Sequence, residues 1–257
     1  MANIKIHGIV IAENNMGDYD KMLTILTPNY GKISCVAKGA RRPQSALLAG
    51  TQLFCFGEYM MYKGTNTYHI NSCETIEIFY HLRTDLDKLK YAVHINKIIQ
   101  DVTEENENCY RILQLYLNTL YMISEKEENL DFILGVFKLR LLAILGFTPR
   151  ITQCVNCKEK TNLEYFSIKD NGMKCNICGK QDKSTISITE STKNAIQYVI
   201  TAPPKKLYSF ILKDESLEEF KLITKIYFNE KLEKEYKVEE IFWLSYLSKN
   251  IKKAWKK

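Results

Sequence analysis

Residues 67–79, TYHINSCETIEIF, decide the fold class of the first third of the chain. Its side chains alternate with a period of two, which is the pattern of a half-buried β-strand. The four residues before it, KGTN at residues 63–66, supply the glycine and asparagine of a hairpin turn. The stretch upstream, LFCFGEYMMYK at residues 53–63, also has strand composition. The two stretches therefore predict an antiparallel pair of strands.

Three more strand-like stretches precede this pair. They are IKIHGIVIAE (residues 4–13), YDKMLTILTP (19–28) and KISCVAKG (32–39), and PNYG gives a turn between the last two. Five short strands within residues 1–80 predict a small Greek-key barrel of the oligonucleotide-binding (OB) type. An SH3-like barrel would produce a similar pattern, so periodicity alone leaves both architectures open.

After Phe79 the apolar spacing changes to that of helices. We predict helices around residues 82–99, 112–123 and 130–145, the third of which ends at Gly146 and Pro149. Thr84 and Asp87 are predicted to cap the first helix.

Further helical segments follow residue 184. One covers residues 195–200 and ends before Pro203 and Pro204, the next is capped by Ser216 with Glu219, and a last amphipathic stretch covers residues 238–257. The fold class is therefore α+β: an OB-fold barrel in residues 1–80, then a helical domain in residues 81–257. A cysteine-rich insertion lies at residues 151–184 of the helical domain.

The insertion contains two Cys-x-x-Cys pairs, Cys154/Cys157 and Cys175/Cys178, separated by 17 residues. Two such turns place four thiolates at the corners of a tetrahedron, so the spacing predicts one Zn²⁺ ion. Four sulfur ligands close the coordination shell, and none of the four histidines lies in this segment. The site is therefore interpreted as structural. A redox-active dithiol explains only one pair and is the weaker alternative.

A second candidate site is the basic stretch VAKGARRPQS at residues 36–45, which follows a predicted strand. Lys38, Arg41 and Arg42 lie within five residues on a loop marked by glycine and proline, and barrel loops are where such folds bind oligonucleotides. Guanidinium groups hold phosphates and stack on bases. Lys21 and Lys32 are predicted to extend this DNA-binding surface. The alternative interpretation is a loop whose cations are merely solvated.

Composition limits the function classes. The net charge is +6 and the isoelectric point about 8.7, which permits nucleic-acid binding without requiring it, and no segment is an extended basic arm. No P-loop, HExxH, GxSxG or GxGxxG motif is present, so no enzymatic activity is predicted. The chain shows no signal-peptide pattern and no apolar run long enough for a bilayer. A cytoplasmic protein with reduced cysteines, without membrane contact, is expected.

Two longer stretches resemble the bacterial recombination mediator RecO family. GDYDKMLTILTPNYGKISCVAKGARRPQSAL, at residues 17–47 and followed by FGEYMMYKG, is similar to the N-terminal domain of that family. FKLRLLAILGFTPRITQCVNC, at residues 137–157, looks like the family's helix running into its cysteine insertion. The resemblance covers most of residues 1–180 and is weak beyond about residue 200.

The resemblance implies an OB-fold followed by a helical domain with a zinc finger, and no catalysis. It implies a nucleoid-associated DNA repair protein that binds single- and double-stranded DNA and anneals complementary strands. Its partners would be RecR and the acidic C-terminal tail of single-strand binding protein (SSB), and it would help RecA displace SSB. Lys38, Arg41 and Arg42 match the family's basic loop, whereas no named position carries over for the RecR or SSB contacts. A protein-interaction scaffold with incidental DNA affinity, and a zinc-dependent hydrolase, remain the rival hypotheses.

Overall fold

The computed structural model describes residues 3–65, 67–126 and 129–238. The predicted helix in residues 238–257 therefore lies almost wholly outside the described residues, as does Asn66 of the predicted hairpin turn. The described chain divides into two compact units, one made of residues 3–84 and 99–126, the other of residues 85–98 and 129–238. None of the described helices has the length and hydropathy needed to span a membrane.

A closed five-stranded barrel forms the sheet of the first unit. Its strands are β1 (Asn3–Met16), β2 (Asp20–Thr27), β3 (Gly31–Ala37), β4 (Phe56–Lys63) and β5 (Tyr68–Glu77). They pair in the order β1-β2-β3-β5-β4, and closure arises because β1 also pairs with β4. Buried aliphatic side chains from all five strands fill the interior. The prediction of five strands is confirmed.

Strand β5 departs from the uniform alternation expected from its sequence. Met61 pairs with Ile70 and Met60 pairs with Ser72, so Asn71 is an extra residue in a β-bulge. The bulge shifts the inward-facing set by one position. Cys73 consequently packs against the barrel core beside Ile70, whereas the Ile76 side chain is 54% exposed.

Helices make up most of the rest. They are α1 (Leu86–Val102), α2 (Tyr110–Glu125), α3 (Leu130–Ile144), α4 (Asn176–Gln181), α5 (Glu190–Thr201) and α6 (Asp214–Lys231). In the second unit α3 is apolar on nearly every side and packs against α5 and α6. It ends as predicted: Gly146 has φ +93°, and the Phe147 N–H donates to the Leu142 carbonyl at 2.8 Å.

The predicted cap of α1 is wrong by one residue. Asp85 Oδ1 accepts hydrogen bonds from the N–H groups of Asp87 (2.9 Å) and Lys88 (3.1 Å), whereas the Thr84 hydroxyl donates to the His81 carbonyl. An aspartate directly before the first helical residue is the better acceptor for these free N–H groups, and its negative charge favours the helix N-terminus.

The predicted Ser216–Glu219 cap of α6 is also wrong. Glu219 reaches instead to the start of α5, where its Oε2 accepts from the Thr189 N–H (2.9 Å), the Thr189 hydroxyl (2.8 Å) and the Thr192 hydroxyl. Helix α6 itself begins without a side-chain cap. Glu219 is thus recruited because the α5 N-terminus offers several donors that need an acceptor.

Three short strands form a sheet that begins in the cysteine-rich segment and ends just after its predicted boundary at residue 184. They are β6 (Leu163–Ser167), β7 (Gly172–Cys175) and β8 (Thr185–Ser187), and they pair in the order β7-β6-β8.

Candidate functional site

The loop after β3 is anchored on the turn between β1 and β2. Gly39 turns the chain with φ +66°, and its N–H donates to Asp20 Oδ1 at 2.7 Å. The Arg41 N–H donates to the Tyr19 carbonyl at 2.9 Å, and Arg41 Nη1 donates to the Gly17 carbonyl at 3.2 Å. These contacts join two turns that are distant in sequence into one surface.

Three cations project from this surface. Lys38, Arg41 and Arg42 are all exposed, and the Arg42 guanidinium lies 5.3 Å from the centroid of the Tyr19 ring. The structure therefore brings together the three residues that the sequence singled out. None of the hydrogen bonds described above joins these three cations to a carboxylate, and although Asp18 and Asp20 lie in or beside the neighbouring turn, the exposed cations can attract anions.

The other two predicted cations are engaged elsewhere. Lys21 Nζ lies 2.5 Å from Glu13 Oε2 and 3.1 Å from the Thr51 carbonyl, and its side chain is only 12% exposed. Lys32 Nζ donates to the Gln100 carbonyl at 2.8 Å. Both ammonium groups tie parts of the first unit together, so their charge at the surface is smaller than the sequence suggested.

Tyr19 is a residue of this surface that sequence reasoning missed. The signal was an aromatic residue in the polar turn GDYD, where burial gives no reason for a large ring. Two other tyrosines of the barrel are placed differently. Tyr59 is fully buried and donates to the Gly50 carbonyl, and Tyr62 stacks on His69 at 5.0 Å.

The four predicted metal ligands converge. The Sγ atoms of Cys154, Cys157, Cys175 and Cys178 all lie within 4.8 Å of one another, and the structure shows no other such metal-type group among the described residues. Burial alone would raise the pKa of the Cys154 thiol. Hydrogen bonds from the backbone N–H groups of Cys157, Cys175 and Asn156 instead lower this pKa to about 6. Four sulfur atoms at this separation, with N–H groups directed at one of them, fit a metal ion bound by thiolates.

The local chain explains how the first pair is shaped. The Cys154 N–H donates to the Glu159 carbonyl at 2.6 Å, and the Lys158 N–H donates to the Cys154 carbonyl at 3.1 Å. Lys158 adopts φ +68°, which reverses the chain directly after Cys157. The turn thus directs both thiols of the pair to one side.

A buried ion-pair group supports the second pair. Lys174, next to Cys175, has a side chain that is 3% exposed, and its Nζ lies 2.6 Å from both Asp170 and Asp182. Hydrogen bonds from Lys174 and Ser167 lower the pKa of Asp170. Because two carboxylates surround the ammonium group, this lysine is not available to an external anion.

A separate cavity of about 550 Å³ lies in the second unit, and lysines outnumber the two carboxylates, Asp131 and Glu235, in its lining. Lys90, Lys138 and Lys225 line it, and among the residues that the structure describes none of the three has a carboxylate within ion-pair distance. The Lys138 residue is 4% exposed. Burial, followed by the charge of Lys225, lowers the pKa of Lys138 to about 8.

The molecule is thus an α+β protein with exposed cations on a barrel loop and a four-cysteine cluster beside its helices. Family models described as Recombination protein O N terminal and Recombination protein O C terminal match residues 1–79 and 83–240. The chain therefore belongs to the RecO family of DNA repair and recombination proteins, and the resemblance inferred from its sequence is confirmed.

Individual relatives agree with the family models. A DNA repair protein RecO from Acetivibrio thermocellus is 41% identical over 237 residues, which cover 92% of this chain and 94% of that protein. The proteins of the same name from Alkaliphilus metalliredigens and Bacillus subtilis are 37% and 29% identical, and cover 77% and 88% of this chain. These alignments cover 80% and 88% of those relatives. The names of these relatives state no catalytic activity.

Proposed function

We propose that this chain is a cytoplasmic, nucleoid-associated recombination mediator without enzymatic activity. It binds single- and double-stranded DNA, anneals complementary strands, and acts with RecR to load RecA onto SSB-coated DNA. In this proposal the barrel of residues 1–80 is an OB-fold DNA-binding domain. Residues 81–257 form a helical domain with a zinc finger at 151–184. Family membership supports the assignment, and the exposed cations of the barrel loop are the structural observation that carries it.

The three loop cations suit phosphate recognition. Two guanidinium groups and one ammonium group offer charge-assisted donors to phosphate oxygens on a loop held by hydrogen bonds to the neighbouring turn. A loop that is already ordered loses less conformational entropy on binding DNA. Lys38, Arg41 and Arg42 therefore form the primary contacts. Lys21 and Lys32 assist mainly by tying parts of the first unit together.

A salt titration tests this assignment. Each neutralised phosphate releases counterions, so replacing Lys38, Arg41 and Arg42 by alanine should flatten the slope of log affinity against log salt by roughly 2 for single strands. The matched control replaces Lys160, Lys169 and Lys183, three exposed lysines of the cysteine-rich segment, and removes the same charge. Equal slopes in the wild type and the loop variant would contradict the DNA assignment and favour the protein-interaction scaffold.

The cysteine cluster is proposed to hold one structural Zn²⁺ ion. Cys154, Cys157, Cys175 and Cys178 would all bind as thiolates, and no position would remain for water or substrate. The ion would supply folding free energy to residues 151–184 rather than chemistry. A zinc-dependent hydrolase would need an open coordination position, which four sulfur ligands do not leave.

The lysine-lined cavity supports the proposed contact with the acidic SSB tail. Lys90, Lys138 and Lys225 have no ion-pair partner in the described part of the chain, although Asp131 and Glu235 also line the cavity, and Tyr91 and Leu134 add apolar surface. A tail that combines carboxylates with apolar side chains would match both features. Replacing Lys90 and Lys225 by alanine should weaken binding of a labelled acidic peptide and leave DNA binding unchanged. Unchanged peptide affinity would show that the tail does not bind in this cavity.

A further inference from the structure

Tyr19 lies in the β1–β2 turn, and the residue is 50% exposed. Its backbone is held, because the Tyr19 carbonyl accepts the Arg41 N–H and Gly17, with φ +56°, sets the turn. A large ring that is half in water on a well-anchored turn does little for the barrel core. Its position suits contact with something outside the protein.

The charges around the ring point to the kind of contact. The Arg42 guanidinium lies 5.3 Å from the ring centroid, and the exposed Lys38 and Arg41 belong to the same loop. An aromatic ring packed beside a guanidinium group, on a surface that carries two further cations, resembles the platforms on which proteins stack unpaired bases while cations follow the phosphates. In a duplex the bases already stack on one another, so such a ring gains nothing from double-stranded DNA unless a base is unstacked.

We propose that Tyr19 is a base-stacking residue that makes this loop prefer single-stranded over double-stranded DNA. The inference rests on the proposed DNA binding by the loop and adds a cause for strand selectivity. Arg42 orients the ring by packing against it, and the loop cations hold the phosphates on either side of the stacked base.

Tyr30 provides a matched control. The residue is 46% exposed, and it also lies in a turn of the barrel, between β2 and β3. Tyr19 and Tyr30 lie at opposite ends of the eight-residue strand β2, which places them roughly 25 Å apart. Loss of Tyr30 should therefore not affect a base held at Tyr19.

The experiment measures binding of poly-dT and of a blunt duplex by the full chain. Tyr19→Ala should weaken poly-dT binding about 5- to 150-fold, the range expected for loss of one stacked base. Duplex affinity and the salt slope should stay unchanged, because no charge is removed. Tyr19→Phe should keep near wild-type binding, and Tyr30→Ala should resemble the wild type.

The outcomes separate this inference from the broader proposal. If Tyr19→Ala weakens both substrates equally, or if Tyr19→Phe fails like Tyr19→Ala, the ring is not a selective stacking platform. The loop can still be the DNA site in that case. If the Lys38, Arg41 and Arg42 substitutions leave the salt slope unchanged, the DNA site itself is misplaced, whatever Tyr19 does.

Discussion

The backbone carbonyl of Glu104 occupies the place where a Cβ atom on Gly31 would have to stand. Gly31 has φ +61°, the Lys32 N–H donates to the same Glu104 carbonyl at 3.0 Å, and Gly31 forms an isolated antiparallel bridge with Glu105. The segment after α1 is thereby attached to the β2–β3 turn within the first unit. Only glycine permits both the backbone conformation and this close approach.

Gly31→Ala should therefore destabilise the protein far more than Gly17→Ala. Gly17 also has a positive φ of +56°, but nothing lies within 4 Å of a Cβ added there, so its substitution costs about 1 kcal/mol of backbone strain. At Gly31 the same strain is joined by a clash with backbone, and we expect about 3 kcal/mol or more. Urea unfolding of both variants measures the difference. Similar losses of unfolding free energy in the two variants would show that the backbone around Glu104 shifts easily to make room for the added methyl group.

Metal removal should lower stability without abolishing DNA binding by the loop. A structural zinc contributes its binding free energy to folding, so strong chelation should lower Tm and increase hydrogen exchange in residues 150–185. Cys178→Ser should lose bound metal in the same way, whereas Cys73→Ser, outside the cluster, should retain one ion per chain by elemental analysis. Full metal loss that left Tm intact while eliminating DNA affinity would contradict the structural role.

Glu219→Ala should cost about 1–2 kcal/mol, because it removes the acceptor of three hydrogen bonds at the start of α5. Its neighbour Glu218 is the control. The Glu218 side chain is 70% exposed and pairs with Lys221 at 3.0 Å, so Glu218→Ala should change stability by less than about 0.5 kcal/mol. Equal losses of stability in the two variants, measured by thermal unfolding, would mean that water can replace the Glu219 carboxylate as the acceptor at the α5 N-terminus.

The sequence predicted the features that depend on patterns of neighbouring residues. Strand alternation located the barrel strands, helical spacing located α2 and α3, and the two Cys-x-x-Cys turns located the thiol cluster, because each signal lies within a few residues. Apart from the α1 cap, which was misplaced by one residue, the failures depend on partners that are distant in sequence. Lys21 is neutralised by Glu13 and reaches the Thr51 carbonyl, and Glu219 bonds to a helix that begins 29 residues earlier. The bulge at Asn71 depends on the register with β4, which one strand cannot reveal.

Lys138→Met should stabilise the protein near neutral pH while weakening any acidic ligand in the lysine-lined cavity. The native pKa of Lys138 is about 8, against 10.5 for an ordinary lysine, because burial disfavours the charged form. Both native and unfolded chains hold the proton below pH 8, so the full cost of a buried ammonium is present there. The Phe228 ring, 5.5 Å from Nζ, offsets only part of it.

Between pH 8 and 10.5 the unfolded chain binds more protons at this position than the native chain, so wild-type stability rises with pH. The advantage of Lys138→Met, on the order of 1–3 kcal/mol below pH 8, should therefore shrink across this interval. Lys225→Met, at an exposed position of the same cavity, should show little pH-dependent gain. Unfolding free energies at several pH values decide the matter, since a gain that is constant with pH would arise from packing and not from the buried charge.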